Sequence, residues 1–145
     1  MKTLPLLLVL VTCLWSGSLA YSAEQKPLPN EVKSTAISWM ELLDKGQYSD
    51  SWKQAVAKIR SFYGEKDWSQ KMTKLRQPLG KAEKRELAGS NHTDTRPGMP
   101  PGDYWVLEFN TKFEKMPAAV EEVTLIPDRD GKYRVFAFAI RPASS

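Results

Sequence analysis

The stretch Ala119-Val120-Glu121-Glu122-Val123-Thr124-Leu125-Ile126-Pro127-Asp128-Arg129-Asp130-Gly131-Lys132-Tyr133-Arg134-Val135-Phe136-Ala137-Phe138-Ala139-Ile140 decides how this chain folds. Two runs rich in β-branched and aromatic residues flank Asp130-Gly131, a dipeptide that favours a tight type I′ hairpin turn. A two-residue loop there pairs Leu125 with Phe136, Val123 with Phe138 and Glu121 with Ile140. A four-residue loop over Asp128 to Gly131 shifts the partners but keeps their parity, so the same six residues share one face. That face is apolar except for Glu121. Tyr133, Val135 and Ala137 are assigned to the opposite face.

Upstream of the hairpin, Trp105, Leu107, Phe109 and Phe113 alternate with Tyr104, Glu108, Asn110 and Lys112 and extend the same apolar face by another row. Four antiparallel strands are predicted, over 83–95, 104–113, 119–126 and 133–140. The Pro- and Gly-rich run Arg96 to Gly102 joins the first two as a loop. Before Lys81 the period is helical. Val32, Ala36, Trp39, Met40 and Leu43 form one stripe, opened by Asn30 as N-cap and closed by Gly46. Ser49 is read as the cap of a second helix carrying Trp52, Val56, Ile59 and Phe62 up to Gly64. Trp68, Met72 and Leu75 mark a third, which Pro78 and Gly80 break. The expected class is α+β: three N-terminal helices packed on one face of a four-stranded antiparallel sheet.

The first twenty residues read as an export signal: Lys2, an apolar run from Leu4 to Leu14, then the small-x-small triplet Ser18-Leu19-Ala20. A retained anchor needs about 20 continuous apolar residues, and this run is interrupted at Ser16. Acylation of Cys13 would place Thr12 where a small residue is needed. Cleavage after Ala20 is therefore expected, with a periplasmic or secreted location and no integral membrane segment left. It also removes Cys13, the only cysteine, so disulfides and thiol chemistry are excluded from the mature domain. Removing twenty residues from 145 leaves 125, the size of one domain able to bury roughly two-thirds of its unfolded surface. Residues 21–29 are a proline-marked lead-in expected to be mobile, 30–141 the domain and 142–145 a tail. Basic and acidic residues alternate, and the densest run, Lys81 to Glu86, reads as a solvated mixed-charge face. Nucleic-acid binding, which needs clustered cations, is not expected.

Glu121 is the anomaly of the inner face. A buried carboxylate needs a partner, because leaving it charged and alone costs several kcal/mol. Arg76, beside the Pro78-Leu79-Gly80 break, is the candidate cation. The pair is then a helix-to-sheet ion pair, or Glu121 reaches solvent at the sheet rim, or it serves as a pocket acid or ligand anchor. Tyr48, at the helix junction, and His92, the only histidine, complete the polar groups a ligand site could draw on. His92 has no neighbours at metal-ligand spacing, no serine stands in a nucleophile elbow, and no glycine-rich loop opens a helix. No catalytic residues, metal or cofactor are expected. Trp39, Trp52, Trp68 and Trp105 fall on inward stripes and are assigned to the core. Tyr104, Val106, Tyr133, Val135 and Ala137 give the outer sheet face an apolar character that suits a homodimer interface or a ligand surface.

The string Trp39-x-x-Leu42-x-Asp44-x-Gly46-x-Tyr48-x-x-Ser51-Trp52, then Trp68, Arg76-x-Pro78-Leu79-Gly80, Ala119-Val120-Glu121-x-Val123-Thr124-Leu125 and Asp130-Gly131-x-Tyr133-Arg134-Val135, resembles a bacterial family of exported domains of unknown function, numbered four thousand and nineteen. The resemblance runs from about Ala36 to Ile140, with Tyr133 where relatives carry tryptophan. It implies periplasmic or lipoprotein location and a cystatin-like, nuclear-transport-factor-like fold, and it carries no activity, because such folds host unrelated functions. The Gln-x-Val-x-Gly hairpin of cystatin inhibitors is absent, so protease inhibition is not expected. The leading expectation is a non-catalytic binding or interaction domain with an unknown protein or small-molecule partner. The alternative is a ligand carrier or enzyme using the cone between helices and sheet.

Overall fold

The computed structural model describes residues 25–144. The signal segment and residues 21–24 of the lead-in lie outside them. Four α-helices, α1 (Asn30–Asp44), α2 (Tyr48–Gln54), α3 (Ala57–Phe62) and α4 (Glu65–Arg76), precede a 3-10 turn (Gln77–Leu79) and four strands. The strands β1 (Ala82–Thr93), β2 (Tyr104–Phe113), β3 (Met116–Pro127) and β4 (Tyr133–Pro142) form an antiparallel meander in chain order. The class is α+β, with the helices on one face of the sheet. Among the described residues no helix is long and apolar enough to cross a membrane.

The stripe of α1 is buried as its spacing requires: Val32, Ala36, Trp39, Met40 and Leu43 all face the sheet. Asn30 is the first helical residue and Pro29 takes the cap position, with no side-chain cap. The helix closes on Gly46 at φ +71°, whose N–H donates to Leu43 while that of Gln47 donates to Leu42. Leu28 of the lead-in packs against the core. At the other end β4 continues to Pro142, and Ala143 bonds back to Ala118, so the expected tail is shorter than four residues.

The segment read as one second helix is two. Ala55 and Val56 leave the helix to meet β4, where Val56 donates its N–H to the Val135 carbonyl at 3.0 Å. Satisfying the edge of the sheet outweighs continuing a short helix, and the break rotates Phe62 off the inward stripe. Phe62 is 71% exposed. Ser49 does not cap α2; the helix starts a residue earlier, and the Ser49 hydroxyl donates to Glu65 instead.

The last hairpin departs from both predicted loops. Asp128 N–H bonds to Lys132 O and Gly131 N–H to Asp128 O, with Gly131 at φ +78°: a three-residue loop of type I turn plus left-handed glycine. This loop sets Leu125 opposite Val135, and a bulge between Thr124 and Leu125 then restores Val123 opposite Phe138 and Glu121 opposite Ile140. Phe136 is the extra residue. It goes to the outer face, its ring 6.4 Å from Tyr104, while Val135 and Tyr133 turn into the core. The outer face is therefore less apolar than expected, and Tyr104 on it is only 4% exposed, its hydroxyl bonded to Pro100 in the proline-rich loop.

Three tryptophans fill the space between layers. Trp39 lies edge-on to Trp68 and Phe138, and Trp105 is fully buried in the same cluster. Ser51 serves two of them: its carbonyl accepts the Trp39 indole N–H at 2.9 Å and its hydroxyl accepts that of Trp68 at 3.0 Å. Trp52 is half-buried, with its indole N–H on the Tyr63 carbonyl.

Candidate functional site

Glu121 faces the helices from the middle of β3, directly between Phe109 and Ile140, and is 0% exposed. The neighbouring inner position on β2 is the small Thr111, whose hydroxyl donates to Glu121 Oε2 at 2.6 Å. Arg85 on β1 pairs with Thr111 on β2, so its long side chain crosses β2 to reach the carboxylate. Arg85 Nε donates to Oε2 at 2.6 Å and Nη2 to Oε1 at 3.2 Å.

The same guanidinium holds Asp44, the last residue of α1, through Nη1 at 2.7 Å and Nη2 at 3.0 Å. Asp44 Oδ1 also accepts Arg76 Nη2 at 2.7 Å, and Arg76 Nη1 lies 3.7 Å from Glu121 Oε1. Arg76 stacks over the Phe113 ring, 4.6 Å from its centroid. Two carboxylates and two guanidinium groups thus alternate in a closed ring that ties the ends of α1 and α4 to β1 and β3. Burial opposes the charge on Arg85, but its hydrogen bonds to Asp44 and Glu121 outweigh that cost, and its pKa is raised. Arg76 ends α4 and the Arg85 guanidinium meets the last residue of α1, so each cation lies beside a helix C-terminus, where positive charge is favoured and where Asp44 alone would be repelled.

This ring is consumed by its own contacts. The Glu121 carboxylate accepts three hydrogen bonds and touches no solvent, which suits structural pairing and leaves no path to act as general acid or base. Arg76 is the exception: its Nε and Nη1 are buried without a hydrogen-bond acceptor. Two grooves flank the ring. One, of about 270 Å³, is lined by Leu43, Asp44, Tyr48, Arg76, Gln77 and Lys81. The other, of about 370 Å³, lies between α1 and β1 and is lined by Lys33, Ile37, Glu41, Arg85, Leu87 and Phe109.

Of the four residues expected to gather, Glu121 and Arg76 meet and Tyr48 shares a groove with Arg76. His92 does not join them. It lies seven positions along β1 from Arg85, roughly 24 Å at strand rise, its ring tilted 45° against Trp105 with centroids 4.7 Å apart. There its Nε2 is 2.6 Å from Asp103 Oδ1, and the Tyr133 hydroxyl donates to Oδ2 at 2.7 Å. Burial acts against ionisation of Asp103, yet these bonds hold its carboxyl below the usual value; the Tyr133 hydroxyl is raised by burial and by the Asp103 charge. Among the described residues no three His, Cys, Asp or Glu groups converge as a metal site would need.

Arg85 and Asp44 are the members that sequence reasoning missed. The run Lys81 to Glu86 reads as solvated because its charges balance. The available signal was Leu87, the one large apolar residue in that strand: if Leu87 faces inward, Arg85 two positions earlier does too. No curated protein matches the chain. The model of the family described as Protein of unknown function (DUF4019) matches residues 35–138, most of the described domain, and the chain belongs to that family.

Proposed function

We propose that this chain is an exported, non-catalytic binding domain whose partner is another protein. The observation that carries the reading is the state of Glu121. Glu121, the one fully buried carboxylate among the described residues, is fully occupied by Thr111 and Arg85, and large apolar side chains fill the interior between helices and sheet. Open space lies outside the core, at the ends of α1 and α4 and in the groove between α1 and β1, whose sheet edge suits an added segment of a partner. The export reading rests on Lys2, the apolar run and Ser18-Leu19-Ala20. Expression of the full chain in a bacterium checks both parts. The expected products are a periplasmic protein whose N-terminus is Tyr21 and, in a broad thermal-shift screen of metabolites, no stabilisation beyond scatter. Retention of Met1 in the cytoplasm overturns the export reading, and a metabolite that raises the melting temperature dose-dependently overturns the protein-partner reading.

A small anionic ligand is the second reading, favoured by the unmatched Nε and Nη1 of Arg76 beside a groove that also carries Lys81 and Tyr48. A carboxylate or phosphate compound found in the same screen, and lost on Lys81→Ala with Tyr48→Phe, would establish it.

A further inference from the structure

The helices do not cover the sheet evenly: α1 packs over β4, β2 and β3, and β1 stands beyond it with hydrogen-bonded pairing on one side only among the described residues. The opposite edge is different, because Val56 already bonds to β4. Between α1 and the free edge runs the groove floored by Arg85, Leu87 and Phe109 and walled by Lys33, Ile37 and Glu41. Lys33 and Glu41 are exposed, and neither side chain has an ion-pair partner among the described residues. They lie two helical turns apart on one face with Ile37 midway, about 12 Å at a rise of 1.5 Å per residue. In an extended strand, residues i and i+4 point the same way and lie about 13.6 Å apart. The spacings match.

We propose that the free edge of β1 accepts an extended peptide segment, antiparallel to β1, of pattern acidic-x-apolar-x-basic. This rests on the protein-partner reading and names the partner's chemistry. α1 runs antiparallel to β1, since its end at Asp44 meets Arg85 while Lys26, before its start, lies over Trp105, the partner of His92. A strand added antiparallel to β1 therefore passes Lys33 first and Glu41 last. Its acidic side chain faces Lys33, its apolar one covers Ile37 and Leu87, and its basic one faces Glu41, beside Arg85, whose own charge is already taken up by Glu121 and Asp44. Main-chain bonds to the unpaired edge supply affinity and the two charges supply direction. The bulge at Ala88 ends the regular run of edge groups and limits the site to a short segment. Lys84 and Glu86 on the other face pair with each other at 2.9 Å and do not compete for the added strand's inner charges.

The test uses the mature chain and two fluorescein-labelled peptides, Thr-Glu-Thr-Ile-Thr-Lys-Thr and its counterpart with Glu and Lys exchanged. The first is expected to bind roughly tenfold tighter by anisotropy, the sum of two partly exposed charge pairs. The double variant Lys33→Glu with Glu41→Lys, both exposed positions, is expected to reverse that order. Amide exchange should slow along Glu83–Leu87 on binding. Equal binding of both peptides, an order that survives the double variant, or no binding at all overturns the proposal. A concentration-dependent dimer that protects the same amides overturns it too, by showing a second copy as the occupant. Failure of the peptides alongside a metabolite-induced stabilisation removes the broader reading as well; failure without one removes only the strand site.

Discussion

At the scale of single residues, two side chains carry an unusual share of the interior. Glu121 holds one corner of the buried ring, and removing it leaves Arg85 and Arg76 facing Asp44 alone in a desolvated space. Glu121→Ala is therefore expected to destabilise the domain by about 3–5 kcal/mol, read as a lower urea midpoint; a loss under about 1 kcal/mol would show that Glu121 is not held as an ion pair. Ser51 is the second. Among the described residues its hydroxyl is the only acceptor for the buried Trp68 indole, so Ser51→Ala leaves a donor unsatisfied and should cost about 1–3 kcal/mol. Tryptophan fluorescence during unfolding checks it, with an unchanged midpoint counting against the assignment. Glu121 was legible in the sequence because alternation within its own strand puts it on the face of Val123 and Leu125, and the bulge at Phe136 cancels the parity change made by the three-residue loop. Arg85 was not, because a balanced charge run hides one inward member unless the parity of Leu87 is used.

At the scale of elements, the split of the second helix and the shifted last hairpin share one cause, competition for the edge and register of β4. The helical stripe through Trp52, Val56, Ile59 and Phe62 is intact as a pattern, yet Ala55 and Val56 bond to the strand and the stripe ends there. Phe62→Ser should then change stability by less than about 0.5 kcal/mol, whereas a core position on the stripe would cost several times more; a loss above about 2 kcal/mol by thermal unfolding would place Phe62 inside. The bulge makes a sharper prediction. Phe136 is the one residue of β4 without a partner on β3, so deleting it leaves Val135 opposite Leu125 and Phe138 opposite Val123. The shortened chain is expected to fold with the same inner face, losing only the Tyr104 contact and the Lys58 contact with the Phe136 ring. Loss of dispersed amide NMR signals in that variant would mean that the bulge itself is required.

At the scale of the whole molecule, the layer architecture followed from two periodicities, 3.6 before Lys81 and 2 after it. What periodicity does not describe is how the loops are fastened to the layers, because those contacts join residues distant in sequence and depend on carboxylates in the turns. Asp128 accepts the N–H of Ala57 across 71 positions and so fixes α3 to the hairpin; Asp103 joins the proline-rich loop to β1 through His92 and to β4 through Tyr133. Burial opposes ionisation of each, but backbone donors on Asp128 and the Tyr133 and His92 bonds on Asp103 prevail, and both carboxyls lie below their ordinary value of 3.8. A carboxyl lowered on folding stabilises the native state fully above its unfolded pKa, and that contribution is lost as pH falls through the native one. The domain should therefore hold constant stability from neutral pH down to roughly pH 5 and lose it progressively below about pH 4. Asp103→Asn with Asp128→Asn should lower stability at pH 7 and flatten the decline between pH 5 and about pH 2, since two of the groups that must protonate are gone. Urea unfolding of both proteins across that range decides it: parallel pH profiles would mean that the loops are fastened by something other than these two carboxylates.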